Sequence, residues 1–172
     1  MSDNKKLPKR SEVPQDLKWR IEDIYPDKDS WEEDYQYIKD NQVWSFVRVA
    51  PRIIGTLGES AELLLSGLNL YMDMSHKIER LFVYAKMKTD EDNGNSESQA
   101  LLDRAMALLV EGQSAASFIV PEIIAIPEGT LEKYISSTDG LKVYDQFLYD
   151  IGRRREHTLS VDEEKILAMA GE

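Results

Sequence analysis

Between Ser60 and Val120 the chain carries Leu64, Leu68, Tyr71, Met74, Ile78, Leu81 and Ala85. The polar turn Thr89-Asp90-Glu91-Asp92-Asn93-Gly94-Asn95-Ser96 follows, and then Leu101, Ala105, Leu108, Ala115 and Ile119. The apolar steps are threes and fours, the period of an α-helix with one buried stripe. At ~1.5 Å per residue the first run makes a helix roughly 40 Å long. A short loop between two such runs makes them antiparallel neighbours. The stretch therefore predicts an all-α fold, a multi-helix array around a long antiparallel helical hairpin.

Towards the N-terminus, Gly55 and Gly58 punctuate the entry to the long helix. The segment Val43–Ile54 fits either helix or strand, because Trp44, Phe46, Val47 and Val49 satisfy both patterns. Pro51 ends or kinks whichever forms. Ser30 and Glu33 have the S-x-x-E spacing of a capping box, which starts a helix at Ser30 with Trp31, Tyr35 and Ile38 on its apolar face. In residues 16–26, Leu17, Trp19 and Ile21 alternate with charged residues, so this strip is expected to be an extended docking segment. Residues 1–15, with Pro8 and Pro14, are expected to be a flexible arm.

Towards the C-terminus, Ser96 is the expected cap of the second long helix, which ends before Pro121. Gly67 costs the first helix ~1 kcal/mol relative to alanine. Gly112, Ser114, Ala115, Ala116 and Ser117 let a neighbouring helix approach closely. Shorter helices follow: Glu122–Ile126, one marked by Leu131, Tyr134 and Ile135, and one marked by Tyr144, Phe147, Leu148 and Ile151. The last opens on Ser160 and Glu163 and ends near Gly171. Residues 1–172 read as a single helical domain, and an end just after a helix is what a cut at a domain boundary would leave.

Composition narrows the class. With 172 residues the chain has one domain's length. A net charge of −11 argues against nucleic acid or an anionic membrane as partner. No cysteine means no disulfide framework and no thiolate chemistry. No secretory signal is visible, and no stretch reaches the ~18 apolar residues of a membrane span. A soluble, cytoplasmic protein is the expectation.

Catalytic chemistry is not visible in the residues. An H-E-x-x-H zinc site needs histidines four apart on a helix, and the only histidines are His76 and His157. A calcium loop with Gly94 at its sixth position places Thr89 first and Ala100 last, where Asp and Glu are required. Asp27-x-Asp29 fails as well, with Trp31 at the third ligand position. Glu32-Glu33-Asp34 and Asp162-Glu163-Glu164 read as first-turn residues favoured by the helix dipole. The same dipole favours Arg153-Arg154-Arg155 at a helix C-terminus. No catalytic, cofactor-binding or metal residue is assigned.

A resemblance supplies what the residue chemistry does not. Leu7-Pro8-Lys9-Arg10-Ser11-Glu12-Val13-Pro14 and Lys18-Trp19-Arg20-Ile21-Glu22-Asp23-Ile24-Tyr25-Pro26 resemble the opening of oligoendopeptidase F. So do Glu79-Arg80-Leu81-Phe82-Val83-Tyr84-Ala85, Thr89-Asp90-Glu91-Asp92 and Gln99-Ala100-Leu101-Leu102-Asp103-Arg104. His157-Thr158-Leu159-Ser160, Glu163-Glu164 and Ala170-Gly171-Glu172 continue the pattern in the same order. The chain departs from it at Gln42–Ile54 and at Arg20, where an acidic residue is usual.

The resemblance implies a zinc metallopeptidase similar to thimet oligopeptidase, cleaving short peptides in the cytoplasm. It implies an N-terminal helical domain that forms one wall of a substrate channel and is inactive alone. Its implied partners are its own C-terminal catalytic domain, which carries the H-E-x-x-H motif and the zinc, and the oligopeptide. The rival reading is a free-standing helical protein-interaction module; an H-E-x-x-H helix encoded beyond Glu172 separates the two. A third is a calcium- or metal-binding helical protein.

Overall fold

The structure, a computed structural model, describes residues 12–154; of residues 42–45 only the backbone is described. Among the described residues the fold is all-α, with no strand. The helices are α1 (Lys28–Tyr37), α2 (Trp44–Ile53), α3 (Ala61–Glu91), α4 (Ser96–Ala115), α5 (Ile119–Ala125), α6 (Glu128–Ser137) and α7 (Asp145–Arg154). They divide into two compact units, one of residues 12–49 and 71–115, the other of 50–70 and 116–154.

In the first unit the expected hairpin is present. Thr89 Oγ1 donates to the Ser98 carbonyl beside the turn. Farther along both helices, Gly112 lies against Ile78 and Met74, as antiparallel neighbours must. A Cβ on Gly112 would stand 2.7 Å from Ile78 Cδ1. The small residue is therefore what brings α4 close to α3. Met74, Ile78, Leu81, Ala85, Leu101, Ala105 and Leu108 are buried between and beneath them. Trp31, fully buried on α1, donates its indole N–H to the Leu81 carbonyl at 3.0 Å and pins α1 to α3.

Four local expectations are corrected here. The first helix starts at Lys28 rather than Ser30, because the Asp27 carboxylate accepts the Ser30 N–H at 2.8 Å and is the cap. The Ser30 hydrogen bonds hold Asp27 below the usual carboxylate range. Glu32, Glu33 and Asp34 consequently sit past the first turn. Asn95, not Ser96, caps α4: its Oδ1 accepts from Glu97 and Ser98 N–H at 2.9 and 3.1 Å. Residues 16–26 are not an extended strip, since one-turn 3-10 helices form at Gln15–Leu17 and Ile21–Asp23. No neighbouring strand takes the backbone N–H groups of these turns; those of Leu17, Lys18, Asp23 and Ile24 turn back onto carbonyls three residues earlier.

The ambiguous segment resolves as helix. A π-helical turn at Ile38–Val43 leads into α2, and Pro51 lies in its last turn. Proline cannot donate to the preceding turn, and the helix ends at Ile53. Gly55 follows at φ 84°, the left-handed conformation that closes helices and that glycine adopts without a Cβ clash.

In the second unit, Ser60 Oγ accepts the Leu63 N–H at 3.2 Å at the start of α3. Leu57, Leu64, Leu68, Ile119, Ile123, Ile126, Leu131, Leu141, Leu148 and Ile151 are buried. Helix α4 ends at Ala115, before Pro121 as expected, and after a turn at 116–118 Pro121 falls in the first turn of α5. In the first turn of a helix the missing N–H costs nothing, because that group has no intrahelical partner anyway.

The run Ser96–Ala125 is, by length and composition, apolar enough to cross a membrane, which corrects the expectation that no stretch is. A core helix passes the same test. In the structure the run is broken by the turn after Ala115 and contributes Leu101, Ala105, Leu108, Ile119 and Ile123 to the buried residues. The helix expected from Ser160, with His157, lies outside the described residues.

Candidate functional site

Polar chemistry in the first unit concentrates where α1 faces α3 and α4. Arg104 on α4 donates through both terminal nitrogens to the Glu32 carboxylate, each at 2.6 Å. Its guanidinium lies over Tyr35, 4.2 Å from the ring centroid, and 5.3 Å from that of Trp31. The two rings stack at 5.2 Å. The forked hydrogen bonds hold the Glu32 carboxyl at about 2 and raise Arg104 above its ordinary value. A carboxylate held so firmly by a guanidinium is a poor proton acceptor at neutral pH; this is an ion pair that joins helices.

A second cluster surrounds Tyr25. Its hydroxyl donates to Asp34 Oδ2 at 2.7 Å, and its ring meets Tyr84 edge-on at 5.4 Å. Arg80 lies 4.4 Å over the same ring and donates to the Ile24 carbonyl at 2.7 Å. Burial, with the Asp34 carboxylate adding to it, pushes the Tyr25 phenol upward. The phenol therefore stays protonated and serves as a hydrogen-bond donor.

Among the described residues, each unit has a concavity that could admit a ligand. In the first unit a cleft of about 400 Å³ is lined by Trp19, Ile21, Met87, Asp90 and Glu91. Here Leu17 and Trp19 are 70% and 75% exposed while Ile21 is buried, so the expected apolar strip puts only one of its three residues into the core. In the second unit a groove of about 920 Å³ lies between α6 and α7, floored by Leu131 and Leu148 and rimmed by Glu132, Asp150 and Arg153. Neither brings a nucleophile to a base.

The residues weighed for chemistry are scattered. His76 is exposed on α3. In the turn between α3 and α4, Asp92 Oδ1 accepts the Gly94 N–H at 3.0 Å, which is turn formation. Among the described residues no three His, Asp or Glu side chains come together to hold a metal. The Arg104 and Tyr25 clusters have no signature in the sequence, because partners so far apart in the chain leave no spacing signal.

The comparisons with known proteins point one way. The family model described as Oligopeptidase F matches residues 122–172. Oligopeptidase PepF of Bacillus subtilis is 36% identical over 175 aligned residues, covering 100% of this chain. The chain belongs to the oligoendopeptidase F family. The crystal structure of oligoendopeptidase-F from Enterococcus faecium superposes with a TM-score of 0.68 and 29% identity, over 83% of this chain and 26% of that one. A candidate peptidase from Chlamydophila abortus superposes with a TM-score of 0.76 and 28% identity, over 96% and 27%. The chain spans about a quarter of the length of the curated relatives it matches, 25% for the Bacillus subtilis protein.

Proposed function

We propose that this chain is the N-terminal, non-catalytic portion of a longer zinc metallopeptidase that hydrolyses short peptides in the cytoplasm. The portion forms one wall of the channel that admits an oligopeptide, and its partner is the catalytic portion of the same polypeptide. The supporting observation is likeness along the whole chain joined to short coverage: 100% of this chain aligns with 25% of the Bacillus subtilis protein.

The residues described here do not fit a zinc centre. A catalytic zinc takes three protein ligands and leaves a position open, and no such trio is brought together. The carboxylates of the two polar clusters, Glu32 and Asp34, are engaged by Arg104 and Tyr25. Metal and water activation are therefore assigned to the remainder of the longer protein.

The test is to assay two purified products with an internally quenched peptide: chain 1–172, and the gene product extended to the relatives' length. The longer product should turn the peptide over and lose that turnover on chelation, while chain 1–172 stays inert. Chelator-sensitive turnover by chain 1–172, or an inert longer product, overturns the reading.

A further inference from the structure

Helix α4 shows more apolar surface than its own unit covers. From Ala105 to Val110 the sequence is Ala-Met-Ala-Leu-Leu-Val, without a charge. Only Ala105 and Leu108 of these are buried. Met106 and Val110, one turn apart, are 44% and 58% exposed, and Leu102 and Leu109 are partly covered. These four lie on neighbouring positions of a helix surface. Arg104 is drawn away to Glu32 on α1.

We infer that the Leu102–Met106–Leu109–Val110 face of α4 is the seat of the remainder of the longer polypeptide, held by apolar packing rather than ion pairs. The inference rests on the reading above, in which this chain is a quarter of a longer protein. Permanent interfaces are more apolar than transient ones and resemble a domain core cut in half. Methionine and valine at the centre of a charge-free stripe suit that chemistry. A second copy of the chain fits less well, since each copy carries a net charge of −11. The same charge disfavours an anionic lipid surface.

Residues 1–172 have no cysteine, so a thiol introduced on this face is the one thiol among them, and its peptide identifies it. In the purified longer protein, V110C and M106C are labelled with a small maleimide, E79C on the exposed side of α3 serves as control, and sites are read by peptide mass. Labelling at positions 106 and 110 should be slower than at 79 by roughly tenfold or more, independently of protein concentration and of added vesicles. Equal rates at all three positions overturn the inference. Protection that disappears on dilution, or that needs vesicles, overturns it in favour of a second copy or a membrane. Peptide turnover by the unsubstituted longer protein is scored separately, so loss of the peptidase reading and loss of this surface are told apart.

Discussion

Arg104 and Glu32 form a forked pair between α4 and α1, with both nitrogen–oxygen distances at 2.6 Å and both side chains 36% exposed. Folding lowers the Glu32 carboxyl from 4.5 to about 2. A depressed folded-state value contributes stability that is fully present above about 4.5 and lost as pH falls towards about 2. Partial exposure screens the pair, so its contribution is about 1 kcal/mol. Arg104→Ala should lower stability by that amount at pH 7 in urea unfolding, plus the packing lost over Tyr35 and Trp31, and the difference from the parent should shrink at pH 3. Arg104→Lys should recover little, because an ammonium neither forks onto the carboxylate nor stacks on the rings. A pH-independent difference would mean that only packing was lost.

Much of this architecture is legible in the sequence, and the misses have a common cause. The α3–α4 hairpin is readable because its stripe from Leu64 to Leu108 is long and keeps one period. Trp31, Tyr35 and Ile38 were readable for the same reason, and all are buried. Short features went the other way. Asp27 and Asn95 cap where Ser30 and Ser96 were expected, since Ser, Asp and Asn are near-equal caps and only geometry selects among adjacent ones. The Leu17–Trp19–Ile21 alternation predicted extension, but a period of two without a partner strand gives no ladder, and local turns take the N–H groups. Glu32–Arg104 and Trp31–Leu81 join residues distant in sequence, beyond the reach of spacing.

Gly112 sets how closely α4 approaches α3. Alanine is the better helix former by about 1 kcal/mol, yet its Cβ would meet Ile78 Cδ1 at 2.7 Å in a buried setting. Overpacking of this kind costs ~1–3 kcal/mol, so Gly112→Ala should be net destabilising by about 1 kcal/mol in urea unfolding. Ile78→Val removes the clashing methyl. G112A/I78V should therefore be more stable than the sum of the two single changes, a coupling read by a double-mutant cycle. Strict additivity would show that the helices relax apart and that the glycine sets no distance.

Glu122 on α5 holds the loop that leads into α3. Its Oε1 accepts the Gly55 N–H and its Oε2 the Leu57 N–H, the latter at 3.3 Å. Each carboxylate oxygen thus meets a backbone donor from the turn after α2, where Gly55 sits at φ 84°. Glu122→Gln keeps the shape but offers one acceptor and one donor, so an amide N–H of the loop is left facing an NH₂. The substitution should cost about 1–2 kcal/mol, the range for a hydrogen bond to a charged group discounted for partial exposure. Glu122→Ala should act similarly, and hydrogen exchange at Gly55 and Leu57 should quicken in both variants while the Trp31 indole N–H, in the other unit, keeps its protection. Gly55→Ala provides the complementary test. Nothing lies within 4 Å of a Cβ built there, so the cost reports the positive φ, ~1–2 kcal/mol, less the ~0.4–1 kcal/mol that alanine gains by restricting the unfolded chain. If the two glutamate variants leave exchange at Gly55 and Leu57 unchanged, the loop is held by the burial of Leu57 and not by the carboxylate.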